Sequence, residues 1–352
     1  MQPTSSFPCL TLALLSGALL LKSHAGMTVA EEHGNRALRY RVTDLGAVGG
    51  RANTYVINAR CLNNRGQVVG WANDGTPYDF ENDTAFLWAP QQGARVLPGL
   101  PNAVTSLATA INDRGDAVGF SGDPFPFSTP TLWTRRGPQA LTLPAGYQGG
   151  LAFGINDRGL VVGMLITDDG RPHPVAWQDG NPALLPLLEN TANGSCYAVA
   201  NCGDIVGASG GIPVLWKHGQ VIGLGTAEGE RGQANAVNDQ GQVVGFAFDA
   251  EGHSRAFVWE DGALATLPSD AFDSAALSIN NRGQIVGAAG AGNLLGDATL
   301  WQRGQRVILG ETIPANSGWV LIEADCINDR GQITGLGMLN GVPRVFLLTP
   351  RD

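Results

Sequence analysis

The hydrophobic and polar positions of this 352-residue chain repeat as one short phrase. An apolar residue is followed by a polar turn rich in Asn, Asp and Gly, and then by a second apolar run that closes on Gly. The closing glycines lie 49, 44, 44, 38, 42 and 48 residues apart. Such a period is typical of proteins built from copies of one supersecondary unit. The seven copies span residues 62–70, 111–119, 155–163, 199–207, 237–245, 279–287 and 327–335.

A second phrase of alternating apolar residues follows each copy of the first. In six repeats it ends on tryptophan, and in the seventh Leu348 takes that place. This recurrence indicates packing between neighbouring units rather than ligand stacking, because a buried aromatic ring contributes a large apolar area. The tryptophans are Trp88, Trp133, Trp177, Trp216, Trp259 and Trp301.

Each repeat predicts four short antiparallel strands, which we call a, b, c and d. Strand a ends at the first apolar residue of the phrase, strand b is the Val-Val-Gly run, strand c carries the tryptophan, and strand d is an apolar stretch such as residues 94–97. The Asn-Asp-Arg-Gly segment between a and b favours a tight turn. Four such strands per repeat form one blade of a β-propeller. We therefore predict an all-β, seven-bladed β-propeller of four-stranded antiparallel blades.

Strand a carries small residues three positions and one position before its last apolar residue in every repeat. Because side chains alternate along a strand, we expect these two positions to share one face. Small side chains are expected where sheets converge on a central axis. The residues at the first position are Ala59, Ala108, Ala152, Cys196, Ala234, Ala276 and Ala324, and those at the second are Cys61, Ala110, Gly154, Ala198, Ala236, Ser278 and Cys326.

The last repeat stops after its strand c, whereas residues 40–45, before the first repeat, resemble a strand d without a blade. We predict that this N-terminal strand completes the last blade, so that no sheet edge is left free. Residues 39–350 then form a single propeller domain.

The two phrases together, Asn-Asp-Arg-Gly-Gln-Val-Val-Gly and Ala-Phe-Leu-Trp, resemble the bacterial extracellular HAF repeat, which is named for a His-Ala-Phe triplet at the start of strand c. The likeness covers nearly all of residues 40–350. The His position holds Thr84, Thr129, His173, Ile212, Arg255, Asp297 and Arg344, so only His173 matches. The resemblance implies export and a repeat fold, and it carries no catalytic residues to this chain.

The N-terminus predicts a secretory signal peptide. Residues 9–21 form an apolar run of 13 residues, followed by Lys22 and the small-residue site Ser-His-Ala. That run is shorter than the roughly 20 residues of a membrane-spanning helix. Cleavage after Ala25 or Ala30 is expected, with residues 1–25 as the signal and 26–38 as a flexible segment; the alternative is a translation start at Met27. Export would place the protein in the periplasm or outside the cell.

Composition and charge exclude several classes of function. Hydrophobic residues make up 43% of the chain and charged residues 15%, which excludes intrinsic disorder. The 49 glycines and 20 prolines disfavour long helices. The net charge of −9 argues against nucleic acid or an anionic membrane as a partner. With Lys22 and Lys217 as its lysines, the chain is a poor candidate for Schiff-base chemistry or a phosphate loop.

The sequence predicts no catalytic residue and no metal ligand. Ser209 lies in a Gly-x-Ser-x-Gly motif, but on strand b rather than on the strand-to-helix turn that a nucleophilic serine requires. His173 and His253 fall near b-to-c loops and His218 at a c-to-d turn on the opposite face, so the three cannot share a zinc ion. Calcium is the one cofactor for which turns and loops offer oxygen ligands, although the acidic spacing of a calcium loop is missing.

Four cysteines remain after the signal segment. Cys61, Cys196 and Cys326 occupy positions filled elsewhere by Ala, Gly or Ser, which indicates buried small residues. Cys202 falls at a turn. An even number of cysteines permits two disulfides in an oxidising compartment, and a bridge between Cys196 and Cys202 is one alternative.

The b-to-c and d-to-a loops emerge on one face of a propeller, and here they vary in length and composition. Variable loops on a rigid scaffold are where binding residues concentrate. Aromatic rings offer faces to sugars or cations, and carboxylates accept hydrogen bonds from hydroxyls. The predicted ligand-binding residues are Asp74, Tyr78, Asp79, Phe80, Asp123, Phe125, Phe127 and Trp319. The alternative is a solvated acidic surface whose rings merely cap the blades.

These patterns favour an exported, monomeric and non-enzymatic binding protein that recognises an extracellular glycan or protein. Two alternatives stay open. A carbohydrate-active hydrolase or lyase on the same scaffold needs two positioned carboxylates or a metal-assisted base, and the sequence singles out no such pair. The third alternative is a purely structural envelope protein.

Overall fold

The chain folds into a ring of seven four-stranded antiparallel sheets, which confirms the predicted seven-bladed β-propeller. The computed structural model describes residues 39–46, 55–73, 83–122, 127–225, 231–290 and 296–351. The innermost strand of each sheet contacts that of the next, and the last contacts the first. None of the described residues lies in a helix that is long and apolar enough to cross a membrane.

The blades follow the sequence repeats, each running a-b-c-d from the axis outwards. The first three comprise β2 to β5 (Tyr55–Leu62, Val68–Asn73, Thr84–Ala89, Gly93–Val96), β6 to β9 (Thr105–Ile111, Ala117–Gly122, Thr129–Thr134, Gly137–Ala140) and β10 to β13 (Tyr147–Ile155, Val161–Thr167, Pro172–Gln178, Asn181–Leu184). The next three comprise β14 to β17 (Gly194–Val199, Ile205–Ser209, Ile212–Lys217, Gln220–Gly223), β18 to β21 (Gly232–Val237, Val243–Phe248, Ser254–Glu260, Ala263–Thr266) and β22 to β25 (Asp273–Ile279, Ile285–Gly290, Asp297–Gln302, Gln305–Ile308). A short 3-10 helix, Leu309–Thr312, leads into blade 7.

Blade 7 is completed by the N-terminal strand, as the sequence predicts. Its strands are β26 (Trp319–Ile327), β27 (Ile333–Leu339), β28 (Val342–Pro350) and, as strand d, β1 (Tyr40–Asp44). In the register of β1 with β28, Tyr40 lies opposite Pro350 and Asp44 opposite Phe346. The Tyr40 side chain is buried in the core of this blade. The first and the last of the described strands therefore share one sheet.

The a-to-b turns join neighbouring blades, in addition to closing hairpins. In six turns the first Asn accepts two backbone N–H bonds through Oδ1 within its own turn, while its Nδ2 donates to a backbone carbonyl of the next turn, as from Asn63 to Asn112 at 2.9 Å. The six are Asn63, Asn112, Asn156, Asn238, Asn280 and Asn328. Blade 4 has Ala200 at this position.

A second ring of hydrogen bonds runs through the following residue of each turn. The backbone N–H of one turn donates to the side-chain Oδ1 of the next, at 2.7–2.9 Å, without a break. Four of the seven acceptors are aspartates, and hydrogen bonds to their charged carboxylates are stronger than those to the neutral amides of the other three. The members are Asn64, Asp113, Asp157, Asn201, Asp239, Asn281 and Asp329. These turn residues thus fix the spacing of the blades.

The apolar core lies between blades rather than at one centre. Seven of the eight buried clusters of the described residues combine residues of neighbouring blades, as Trp133 of blade 2 packs with Val69 and Leu87 of blade 1. Four of the repeated tryptophans also donate their indole N–H to a backbone carbonyl after strand d of the preceding blade: Trp133, Trp177, Trp216 and Trp301. These contacts bear out the packing role that the recurrence indicates.

The prediction that the two small positions of strand a share one face is wrong. Ala108 pairs with Gly119 and Ala110 with Val118, so Thr109 between them is the extra residue of a β-bulge. Because the bulge interrupts alternation, Ala108 faces the core shared with blade 1, while Ala110 faces the core shared with blade 3. A bulge occurs at the same place in every blade. Small residues on both sides let the inner strands approach closely.

Candidate functional site

The exposed hydrophobic side chains are concentrated on one side of the propeller. We call the face that carries the b-to-c and d-to-a loops the top face. Among the described residues, nine large hydrophobic side chains are exposed, and three of these, Val96, Leu184 and Ile222, lie on the outer strands d. The other six lie in top-face loops or at the strand ends beside them: Val104, Phe127, Phe248, Phe272, Val320 and Val342. Exposed apolar side chains grouped on one face mark a candidate interaction surface.

Four rings of blades 5 and 6 form the most developed part of this surface, and we call them the blade 5–6 cluster. Phe246 and Phe248 of β19 meet edge to face, with ring centroids 5.6 Å apart. The imidazole of His253, in the following turn, packs at 5.9 Å against the ring of Phe272, which is 64% exposed. Rings held in pairs offer faces to a ligand with little loss of side-chain entropy.

Asp249 organises the turn that carries His253. Its Oδ1 accepts the backbone N–H groups of Glu251 and His253, and its Oδ2 accepts the Arg255 guanidinium at 2.8 Å. Burial opposes ionisation of this carboxyl, but the hydrogen bonds from His253 and Arg255 and their charges keep its pKa below the ordinary value. Asp249 therefore stays ionised and holds both neighbours in place.

Phe272 is exposed but anchored on both sides. The Arg255 guanidinium donates to the carbonyl of Ala271 at 3.2 Å. The Oδ1 of Asp273 accepts the backbone N–H of Ser254 at 2.9 Å and its hydroxyl at 3.2 Å. Both flanking residues are thus bonded to blade 5, so the ring is presented on a fixed backbone. Preorganisation of this kind lowers the entropic cost of binding.

The extra residues of the seven strand a bulges form a ring of side chains around the central axis. In every blade the residue before the bulge is buried, whereas the bulge residue itself is half-buried or exposed, as expected for a side chain that lines a channel. The seven are Arg60, Thr109, Phe153, Tyr197, Asn235, Leu277 and Asp325. We call this set the channel ring.

One sector of the channel ring is charged. Burial raises the pKa of Asp325 well above its ordinary value, the charge of Glu323 raises it further, and the Arg60 guanidinium opposes both effects. The pKa of Glu323 is likewise raised by burial and lowered in part by Arg60. The charge of Arg60 in blade 1 thus acts on two carboxyl groups of blade 7, and Asp325 holds its proton to a higher pH than an ordinary aspartate.

The sector across the ring is aromatic. Phe153 of blade 3 and Tyr197 of blade 4 lie with ring centroids 5.6 Å apart. Burial raises the pKa of Tyr197, so its hydroxyl stays protonated at neutral pH. Asn235 donates from Nδ2 to the carbonyl of Ala276 at 2.8 Å and so fixes its own orientation. The channel therefore combines carboxyl groups on one side with ring faces on the other.

Most of the predicted ligand-binding residues lie outside the described part of the chain: Asp74, Tyr78, Asp79, Phe80, Asp123 and Phe125. Phe127 is described, and its ring is 57% exposed on the top face. The prediction that Trp319 projects from a loop is wrong. It is the first residue of β26, and its ring packs edge-on against Phe346 at 6.1 Å.

Sequence reasoning missed the blade 5–6 cluster and the channel ring. The cluster escapes because its members are spread over residues 246–272 and no single loop is rich in aromatic residues. The signal for the channel ring lies in the residue between the two small positions of strand a, which is the variable one. If side chains are assumed to alternate strictly along strand a, the orientation of this middle residue is not predicted correctly.

The remaining candidate groups fall where a structural role is expected. The Ser209 hydroxyl is buried and bonds to Thr191 Oγ1 at 2.7 Å and to the backbone N–H of Leu188. His173 is the second residue of β12, beside the top face, whereas His218 follows β16 at the opposite face. Within the described ranges, no group of three or more His, Cys, Asp or Glu side chains could hold a metal ion. Cys61, Cys196, Cys202 and Cys326 are all free thiols in the structure, so the bridge between Cys196 and Cys202 is not present in it.

Comparison with known proteins supports the fold but assigns the chain to no family. No family model matches the sequence, and no curated protein matches it. Among solved structures, the propeller domain of the Trilobed protease from Pyrococcus furiosus matches with a TM-score of 0.53 at 8% identity, covering 85% of this chain and 98% of that one. Virginiamycin B lyase from Staphylococcus aureus matches with a TM-score of 0.51 at 9% identity, covering 88% of this chain and 99% of that one.

Several other matches are longer proteins. Acylaminoacyl peptidase from Pyrococcus horikoshii matches with a TM-score of 0.52 at 13% identity, covering 86% of this chain and 52% of that one. The chain spans 49–65% of the length of three further matched proteins. At such low identity the matches with TM-scores of 0.51–0.53 show a shared β-propeller scaffold and nothing about the chemistry grafted on it.

Proposed function

We propose that this protein is an exported propeller that binds an extracellular glycan or protein on its top face. One observation carries the proposal: apart from three side chains on outer strands, the exposed large hydrophobic side chains of the described residues all belong to that face. Anchored rings are what a binding surface needs, because they supply contact area at low entropic cost. The resemblance of the repeats to the HAF family supports export.

A glycan is the ligand class that the surface fits best. The exposed Phe248 and Phe272 offer apolar ring faces, as sugar rings require for stacking, and Asp249, Arg255 and Asp273 lie beside them. We expect the acidic segments that contain Asp74, Asp79 and Asp123, which lie outside the described residues, to add acceptors for hydroxyl groups. Given the net charge of −9, a protein partner would carry a basic surface.

The test is a retention screen of the purified protein on immobilised polysaccharides and extracellular proteins. Phe248→Ser and Phe272→Ser should each weaken retention on whatever the protein binds, without a large change in melting temperature. Leu184→Ser is the matched control, because Leu184 is an equally exposed apolar residue on an outer strand, 46% exposed against 40% for Phe248. Equal retention of all three variants would place the site elsewhere.

The loops outside the described residues are tested separately. Replacing Tyr78, Phe80 and Phe125 with Ala should abolish retention if the site extends over blades 1 and 2. Export is tested by N-terminal sequencing of protein recovered outside the cytoplasm, which should begin near Gly26. An intact Met1 or a start at Met27 would contradict it.

A carbohydrate-active hydrolase or lyase is the second candidate. The observation that favours it is the pair of Glu323 and Asp325, whose raised pKa values suit a general acid, beside the Arg60 cation in the channel. Release of soluble sugar from any polysaccharide in the panel, lost in Asp325→Asn, would support this candidate. Retention without release would favour the binding role. If the protein neither binds nor cleaves any polysaccharide in the panel, a structural envelope role would remain.

A further inference from the structure

We propose that Cys61 and Cys326 form a disulfide that covalently closes the ring between blade 7 and blade 1. The two Sγ atoms lie 3.0 Å apart, although the residues are 265 positions apart in the chain. That separation is about 1 Å longer than a disulfide bond and requires little movement to become one. This assignment is independent of the ligand that the top face binds.

The fold explains why these two positions meet. Both occupy the second small position of strand a, and the inner strands β26 and β2 are neighbours at the closure of the ring. The same approach is visible elsewhere around the axis: a Cβ added at Gly154 would lie 3.2 Å from Cα of Ala198, the equivalent residue of the next blade. Blades 7 and 1 are the one pair of neighbouring blades in which both carry cysteine at the second small position of strand a.

The surroundings hold the sulfur atoms in place. The backbone N–H of Leu62 donates to Cys326 Sγ at 3.4 Å, and the Ser278 hydroxyl lies 3.9 Å from the same atom. Cys326 is buried and Cys61 half-buried. The hydrogen bond from Cys326 lowers the pKa of the Cys61 thiol, so Cys61 is the better nucleophile of the pair.

Formation of the bond requires a two-electron oxidant, for which we name a small-molecule or protein disulfide. The Cys61 thiolate attacks one sulfur of that disulfide and releases the first thiol, leaving a mixed disulfide on Cys61. The Cys326 thiolate then attacks the Cys61 sulfur and releases the second thiol. Two protein thiols are oxidised, one external disulfide is reduced to two thiols, and the two protons pass to the released thiolates.

The bond is tested on the full chain, purified without reductant and incubated with glutathione disulfide. After alkylation of free thiols in denaturant, a non-reducing digest should contain a peptide that links Cys61 to Cys326, with Cys196 and Cys202 alkylated. The oxidised chain should also migrate faster than the reduced chain on a denaturing gel, because a large loop is closed. Alkylation of both Cys61 and Cys326, or a peptide linking Cys196 to Cys202 instead, would overturn the proposal.

The stabilising role of the bond is tested by reduction. The melting temperature of the oxidised protein should fall by about 5–10 °C in dithiothreitol, because a disulfide that closes a long loop constrains the unfolded chain. Cys61→Ser and Cys326→Ser should melt at the same temperature with and without the reductant, whereas the control Cys202→Ser should keep the full shift. A reductant shift that persists in Cys61→Ser would contradict the assignment, and the digest decides the matter if a variant fails to fold.

Discussion

At the scale of single residues, the bulge in strand a determines which side chains the repeat tolerates. The glycine that closes each phrase faces this bulge. A Cβ at Gly163 would meet the carbonyl oxygen of Leu151 far inside van der Waals contact, and five equivalent glycines meet the same obstacle. The glycine is therefore required by a close approach of two backbones, which explains why it ends every copy of the phrase.

Gly163→Ala should lower the free energy of unfolding by at least about 1–3 kcal/mol, the usual cost of forcing extra volume into a packed interior. Gly223→Ala is the matched control, because Gly223 also lies in a strand but a Cβ there would only touch the Leu188 side chain at 3.7 Å. Urea denaturation measures both variants. Equal stability of the two would contradict the bulge geometry.

Asp325 makes stability depend on pH. Because its pKa is raised in the folded state, the folded protein binds more protons than the unfolded chain, and stability falls as pH rises from the ordinary carboxyl pKa through the raised value. Asp325→Asn should therefore be more stable than the wild type at pH 8, and its advantage should shrink at pH 4. Asp168→Asn, at an exposed position, serves as the control in urea denaturation at both pH values. An advantage that does not change with pH would rule out this account.

At the scale of elements, the a-to-b turns serve as connectors between blades. The sequence predicts them as hairpin turns, and their internal hydrogen bonds confirm that. It could not show that the Asn side chains also bond to the next blade, because that contact depends on the radius at which the sheets pack. In blade 4, Ala200 stands in place of Asn, so the hydrogen bond from an Asn side chain to the next turn is missing there.

Ala200→Asn should raise the free energy of unfolding by about 1–2 kcal/mol. The new side chain could accept two backbone N–H bonds in its own turn and donate to the carbonyl of Asn238, as the equivalent residues do in six other blades, and each net hydrogen bond contributes about 1 kcal/mol. The reverse change, Asn156→Ala, should destabilise by at least as much. Calorimetry of both variants measures this, and a destabilised Ala200→Asn would mean that blade 4 lacks room for the amide.

At the scale of the whole molecule, repetition explains why so much of the fold could be predicted. Seven copies of one phrase indicate the blade count, and the missing strand d after Leu348 indicates closure by residues 40–45. The candidate site could not be predicted equally well. Phe248 and Phe272 look unremarkable in sequence, and their exposure follows from how blades 5 and 6 dock. Trp319 looks like a loop residue, because nothing in its neighbourhood reveals that β26 begins there.

Closure of the ring makes the N-terminal strand essential to stability. A chain that lacks residues 40–45 should expose the edge of β28 and aggregate, or lose much of its thermal stability, because an unpaired strand edge recruits other chains. A chain that begins at residue 38 is the control, since it keeps all of β1. Light scattering and melting temperature report the outcome. A deletion variant that melts like the control would show that β1 is dispensable.

Hydrogen–deuterium exchange in the presence of a polysaccharide retained in the panel tests whether the top face binds a ligand. Bound polysaccharide should slow exchange in the top-face loops, above all around residues 246–256 and 270–274, and leave the a-to-b turns and the outer strands d unchanged. Slowed exchange confined to the a-to-b turns or to the outer strands would contradict binding on the top face.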